Sequence, residues 1–162
     1  MNMKCFKLGA KSARRLKDAR ADLAWTVKDA LTNETPYDFS VTEVLRSRQK
    51  QRANIRAGVS WTMNTRHFKQ DDGTVWAVDL IGWVDSASNS DESVLIEIAE
   101  AMRRSARKIK MPLIWGGCWR DIAATDQPLI EMVAEYRAAK GDDAKVDMPH
   151  FECTRTCGNI RS

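Results

Sequence analysis

The chain carries only two histidines, and each stands in a distinctive setting: Ser60-Trp-Thr-Met-Asn-Thr-Arg-His67 and Asp147-Met-Pro-His150-Phe-Glu152. A lone histidine is most often a surface or hydrogen-bonded residue, so neither one alone points to chemistry. Asp79 changes the balance. It lies inside the apolar run Trp76-Ala-Val-Asp-Leu-Ile81, where an ionised carboxylate is costly unless it is paired or bound to a metal. A salt bridge to one of the many arginines is the plain alternative. Two imidazoles and a carboxylate are three ligands suited to zinc, and they leave a fourth tetrahedral position for water, as a catalytic zinc site requires. Asp147, three residues before His150, would then stand beside that water as a general base.

These residues need elements to bring them together. From Ser12 to about Asn33, Leu16, Leu23, Val27, Ala30 and Leu31 recur at helical spacing, with Ser12 as N-cap. Thr35-Pro36-Tyr37-Asp38 reads as a turn, and Phe39, Val41 and Leu45 alternate with polar residues as in a half-buried strand. Ser47 to Ala57 is a basic helix stopped by Gly58. Thr74 to Val84 is a core strand, Asp91 to Lys110 a long amphipathic helix ended by Pro112, and Leu113 to Trp115 a short strand entering the Gly116-Gly117 turn. A third helix from Asp126 as cap to Gly141 as stop precedes a strand at His150 to Cys153. Helices and short strands in this irregular order indicate an α+β fold.

A chain of 162 residues fits one domain with its own core. The composition, 43% hydrophobic and 30% charged, excludes disorder. Lys and Arg number 26 against 22 Asp and Glu, a net charge of +4, which favours encounter with anionic polymers only mildly. No apolar run reaches the roughly 18 residues of a membrane span, and Met1 to Ala10 has no signal-peptide core. Cys5, Cys118, Cys153 and Cys157 have no zinc-ribbon or thioredoxin spacing and are expected as free thiols. Cys153 and Cys157 lack the partner ligands a metal pair would need.

Taken together, Ser60 to His67, Ala77-Val78-Asp79-Leu80, Trp115-Gly116-Gly117-Cys118-Trp119 and Asp147 to Glu152 resemble the ordered motifs of the D-Ala-D-Ala carboxypeptidase-like zinc metallopeptidases. The nearest branch is that of the phage endolysins, the L-alanyl-D-glutamate endopeptidases. The resemblance runs from about Leu8 to Glu152 and implies a small antiparallel sheet flanked by helices, with the zinc site in a cleft on the sheet. It implies zinc bound by His67, Asp79 and His150, with Asp147 as the catalytic carboxylate. Arg46 and Gln51, after Phe39-Ser-Val-Thr-Glu-Val-Leu, match the substrate-facing arginine and helix glutamine, and Trp115 and Trp119 would line the cleft unless they belong to the core. Glu152 would accept a hydrogen bond behind His150 rather than bind metal.

The resemblance further implies a monomeric single-domain hydrolase of the L-Ala–D-Glu bond in peptidoglycan stem peptides, without a separate wall-binding domain. Made without a signal peptide in the host cytoplasm, it would act in the periplasm after release and lyse the cell. Stable membrane insertion and nucleic-acid binding are not expected. A D,D-carboxypeptidase releasing D-Ala is the enzymatic alternative, and a non-catalytic wall-binding protein of the same fold is the alternative from another class.

This chain departs from the family pattern in three places. The stretch Phe68 to Val78 between His67 and Asp79 is longer than usual, which makes Asp71 and Asp72 rival ligands. Val44 stands where a glycine is expected, and Cys118 where an acidic residue is expected. The stretch from Asp121 to Val146 is also longer and would cover one edge of the cleft.

Overall fold

In the computed structural model, which describes residues 5–155, the N-terminal amphipathic pattern folds as two helices rather than one. Helix α1 (Ala10–Leu16) and helix α2 (Ala21–Asp29) flank a break at residues 17–20, and a π-helical turn, Ala30–Glu34, follows α2. In the break Val75 N donates to Asp18 O and Arg20 N to Val75 O, so a β-type contact replaces helical hydrogen bonds. The apolar spacing continues through the break because Leu16 and Leu23 enter the same core. Ser12 is not a cap. It lies buried in α1, and its Oγ accepts from Val41 N at 3.0 Å.

Strand β1 (Asp38–Glu43) buries Phe39 and Val41 on one face, the period of two expected of a half-buried strand. Helix α3 (Arg48–Arg56) starts at Ser47, whose side chain accepts from Lys50 N, and stops at Gly58, whose φ of 71° suits glycine. Strands β2 (Ala77–Val84) and β3 (Ala87–Asn89) form a hairpin through Asp85 and Ser86, both with positive φ, as a tight two-residue turn requires.

Helix α4 (Glu92–Lys108) lays Val94, Leu95, Ile98 and Met102 against the sheet. Each such side chain contributes roughly 1.5–3 kcal/mol by leaving water. Strands β4 (Leu113–Trp115) and β5 (Arg120–Asp121) follow, then helix α5 (Leu129–Lys140), a 3₁₀ turn at Gly141–Asp143 and strand β6 (His150–Cys153). Helix α5 starts two residues later than the sequence suggests, with Pro128 rather than Asp126 at the cap position. Pro128 disfavours helical backbone at Gln127, and Asp126 instead pairs, exposed, with Arg107 at 2.8 Å.

The six strands form one antiparallel sheet in the order β1-β2-β6-β4-β5, with β3 paired to β2. This α+β arrangement puts the two metal-competent strands side by side: Asp79 of β2 is the register partner of His150 of β6. On the other side of β2, a register shift between Val41 and Glu43 sets Glu43 opposite Asp79. Bulges of this kind re-aim side chains beside functional sites.

Candidate active site

His67 arrives on a loop, Asp79 and His150 on adjacent strands, and three of their atoms converge. His67 Nε2 and His150 Nδ1 each lie 3.1 Å from Asp79 Oδ1 and 3.2 Å from one another. The outward nitrogens decide what these atoms are. His67 Nδ1 is 2.7 Å from Val44 O, and His150 Nε2 is 3.0 Å from Glu152 Oε2. Both partners can only accept, so the protons sit on the outward nitrogens and the inward ones present lone pairs.

Two lone pairs and an anionic oxygen therefore face one point, and only a cation there makes the arrangement favourable. The spacing suits zinc, whose bonds of about 2.0–2.1 Å in a tetrahedron separate ligand atoms by about 3.3 Å. The ionisation behaviour of the free protein agrees. Burial would lower the His150 pKa, but Asp79 and Glu152 outweigh it and raise it to about 9. Burial likewise would push the Asp79 carboxyl up, yet its bonds with His150 and His67 hold it well below the usual carboxylate range. Without metal, a proton serves as the cation.

The longer loop after His67 explains how Asp79 reaches the histidines. Residues 68–76 close on themselves: Gln70 N donates to Thr74 O, Gly73 takes a φ of 77°, and Lys69 bridges Val75. Trp76 N then returns to Arg66 O at 3.0 Å, so the chain re-enters the sheet beside the point where it left. Asp72 is spent on this turn, accepting from Thr74 and from Trp76 Nε1, and exposed Asp71 pairs with Arg155. Neither rival ligand joins the histidines.

Asp147 lines the same cleft, which encloses about 760 Å³. Burial pushes its carboxyl above the usual range, against the pull of His150. Its position is set by backbone: Asp147 N donates to Gly116 O at 2.9 Å and Gly116 N to His150 O at 2.9 Å. A Cβ on Gly116 would fall 2.1 Å from Asp147 O, so only glycine permits this approach.

Arg46 reaches the Asp79 corner of the triad, its Nη2 3.4 Å from Asp79 Oδ2. Its Nη1 donates to Gln51 Oε1 at 2.7 Å and its Nε to Glu43 Oε2 at 3.0 Å. Gln51 is itself buried and lies in the wall of the same cleft, where its Oε1 holds Arg46. Glu43, given no role from sequence, is the anchor of this corner. It also pairs with Lys50, and the Glu43–Arg46 spacing of three residues was its only visible sign.

Trp115 does not line the cleft. Its ring is fully buried, stacks on Phe151 at 6.5 Å and donates from Nε1 to Met148 O. The strand carries it inward, and the turn that follows gives Trp119 a φ of 53°, aiming that indole at the cleft instead. Trp61 also lines the cleft and was not singled out from sequence. The stretch from 121 to 146 contributes Tyr136, Lys140 and Lys145 to the same wall. Cys118 is buried, and burial raises its thiol pKa. Burial pushes Cys153 up to about 12, which keeps it a thiol. Cys157 lies outside the described residues. Among the described residues no helix is long and apolar enough to cross a membrane.

An α+β sheet that brings His67, Asp79 and His150 together where they could hold a metal ion, with a further carboxylate in the same cleft, is the kind of arrangement that hydrolases use. The family described as phage L-alanyl-D-glutamate peptidase matches residues 3–133, and the chain belongs to that family. The crystal structure of the Serratia marcescens L-Ala D-Glu endopeptidase ChiX is similar to it over 94% of this chain and 92% of that one, with 29% identity and a TM-score of 0.68. None of the curated proteins matches the chain. The family match ends before Asp147 and His150, whose assignment rests on the geometry.

Proposed function

We propose that the chain is a zinc-dependent endopeptidase that hydrolyses the L-Ala–D-Glu bond of peptidoglycan stem peptides. The observation that carries the metal is the convergence of two imidazole lone pairs and the Asp79 carboxylate within 3.2 Å of one another. Membership of the family and the likeness to the Serratia enzyme supply the bond. Zinc held by His67, Asp79 and His150 would supply Lewis acidity, polarising the scissile carbonyl and making water a nucleophile near neutral pH.

The chain's own residues do the rest. Asp147, ionised, takes the proton of the attacking water and hands it to the departing amine. Its raised pKa makes it a better proton acceptor than an ordinary aspartate. Arg46, held flat by Glu43 and Gln51, offers a guanidinium to a substrate carboxylate such as that of the D-Glu residue. Val44 O and Glu152 fix the tautomers of His67 and His150.

The test is digestion of purified sacculi with zinc or with chelator, followed by mass spectrometry of the new termini. New D-Glu amino termini that appear only with metal are expected. Released D-Ala would instead assign a carboxypeptidase, and absence of any product would assign a wall-binding protein.

A further inference from the structure

The cleft holds an aromatic surface that bond hydrolysis does not require. Trp61, on the loop after α3, is 53% exposed, and its ring meets Trp119 edge to face with centroids 5.5 Å apart. Trp119 in turn lies 5.3 Å from the His150 ring. The Trp119 indole and the loop that carries Trp61 are both held. The left-handed backbone of Trp119 is strained in a residue other than glycine, and such strain gathers at binding sites. Its Nε1 donates to Lys145 O at 2.6 Å. The Trp61 loop is tied down by Gln51 Nε2, which donates to Ser60 Oγ and Thr62 O.

Arg46 meets the triad at its Asp79 corner, and Trp119 meets it at its His150 corner. The Arg46 guanidinium and the aromatic pair therefore approach the cluster from different ligands, with Lys140 and Lys145 beside the aromatic pair. The substrate also differs on its two sides. In a stem peptide every free carboxylate lies on the carboxyl side of the L-Ala–D-Glu bond, whereas the amino side holds one alanine and then the muramic acid of the glycan strand. One extended residue spans about 3.5 Å. The ring-to-ring steps from His150 to Trp119, 5.3 Å, and from Trp119 to Trp61, 5.5 Å, are each longer than that one residue, so the pair has the reach to meet a group beyond the alanine.

We propose that Trp61 and Trp119 form a subsite for a pyranose ring of the glycan strand, so that the enzyme takes glycan-linked stem peptides in preference to free ones. This rests on the endopeptidase reading. A pyranose presents a face of weakly positive C–H bonds, which complements the electron-rich face of an indole. Thr62 and Asn64, lining the same cleft, offer the hydroxyl and amide partners that sugar hydroxyl and acetamido groups need.

The experiment compares kcat/KM on a disaccharide-linked tetrapeptide and on the same free tetrapeptide, for wild type, Trp61→Ala and Trp61→Phe. Wild type is expected to favour the linked substrate about tenfold, mainly through KM, as one stacking contact supplies. Trp61→Ala loses most of that ratio and Trp61→Phe keeps most of it. Equal wild-type rates on both substrates, or an unchanged ratio in Trp61→Ala, would overturn the subsite. Should neither substrate be cut, the endopeptidase reading fails separately. Quenching of wild-type tryptophan fluorescence by the peptide-free disaccharide, weakened in Trp61→Ala, then still decides the subsite.

Discussion

The two sides of the cleft are built by different means. The inner side, the His67-Asp79-His150 cluster with Arg46, is anchored on the paired strands that carry Asp79 and His150, with His67 and Arg46 on loops joined by the bond from Arg46 N to His67 O, and every outward polar atom of its histidines has a partner. The outer side, Trp61, Tyr136, Lys140 and Lys145, stands on a loop and on the end of α5, where long side chains meet solvent. A site on strands is held to within fractions of an ångström, as proton transfer and metal binding need. A loop-borne wall tolerates variation and suits the recognition of substrate. Substitutions on the inner side should therefore destroy turnover, and those on the outer side should retune it.

The largest effect is expected from Asp79→Ala, which removes the anionic ligand and leaves two imidazole lone pairs facing one another. Zinc content by atomic absorption and hydrolysis of sacculi should both fall to background. Retention of stoichiometric zinc would move the metal elsewhere. Next, Asp147→Asn keeps the fold of the 147–150 turn but removes the base. Zinc should stay bound while kcat falls about 10²–10⁴-fold. Because Asp147 is proposed to work ionised and burial holds its carboxyl above the usual range, wild-type kcat at saturating zinc should fall with decreasing pH at a higher pH than an ordinary aspartate would give. A profile flat to lower pH would assign the base to another group.

A smaller loss is expected from Glu152→Gln, which weakens the hold on the His150 tautomer. Zinc affinity, read by competition with a chromophoric chelator, should drop roughly 10–100-fold. Smallest is Lys145→Ala on the outer wall. It should leave zinc affinity unchanged and shift KM for sacculi by only a few-fold, in line with a surface charge. A collapse of kcat would show that the outer wall shares in the chemistry.

The same division governs what could be read from the sequence. Scarce histidines, and an aspartate inside an apolar strand, stand out because burial of such groups is costly without a partner, so the inner cluster and its strands β2 and β6 were visible in advance. Period-two and period-3.6 patterns likewise gave α3 and α4 nearly to their ends and the Phe39–Val41 part of β1, whereas Leu45, expected in the same strand, lies exposed beyond its end at Glu43. The break between α1 and α2 was hidden because apolar spacing persists when both pieces face one core. The Glu43 anchor was hidden because it depends on a bulge, and the split between a buried Trp115 and a cleft-facing Trp119 was hidden because the left-handed backbone at Trp119 is a property of the folded turn. Where extra residues lie, as after His67, length alone does not show that they close into a turn and restore the register.

Diffraction at the zinc absorption edge from crystals of the zinc-loaded enzyme tests the metal centre most directly. One anomalous peak is predicted about 2.0–2.2 Å from His67 Nε2, Asp79 Oδ1 and His150 Nδ1. A peak at the Asp71–Asp72 turn instead, or an enzyme fully active with no metal bound at the three residues, would contradict it.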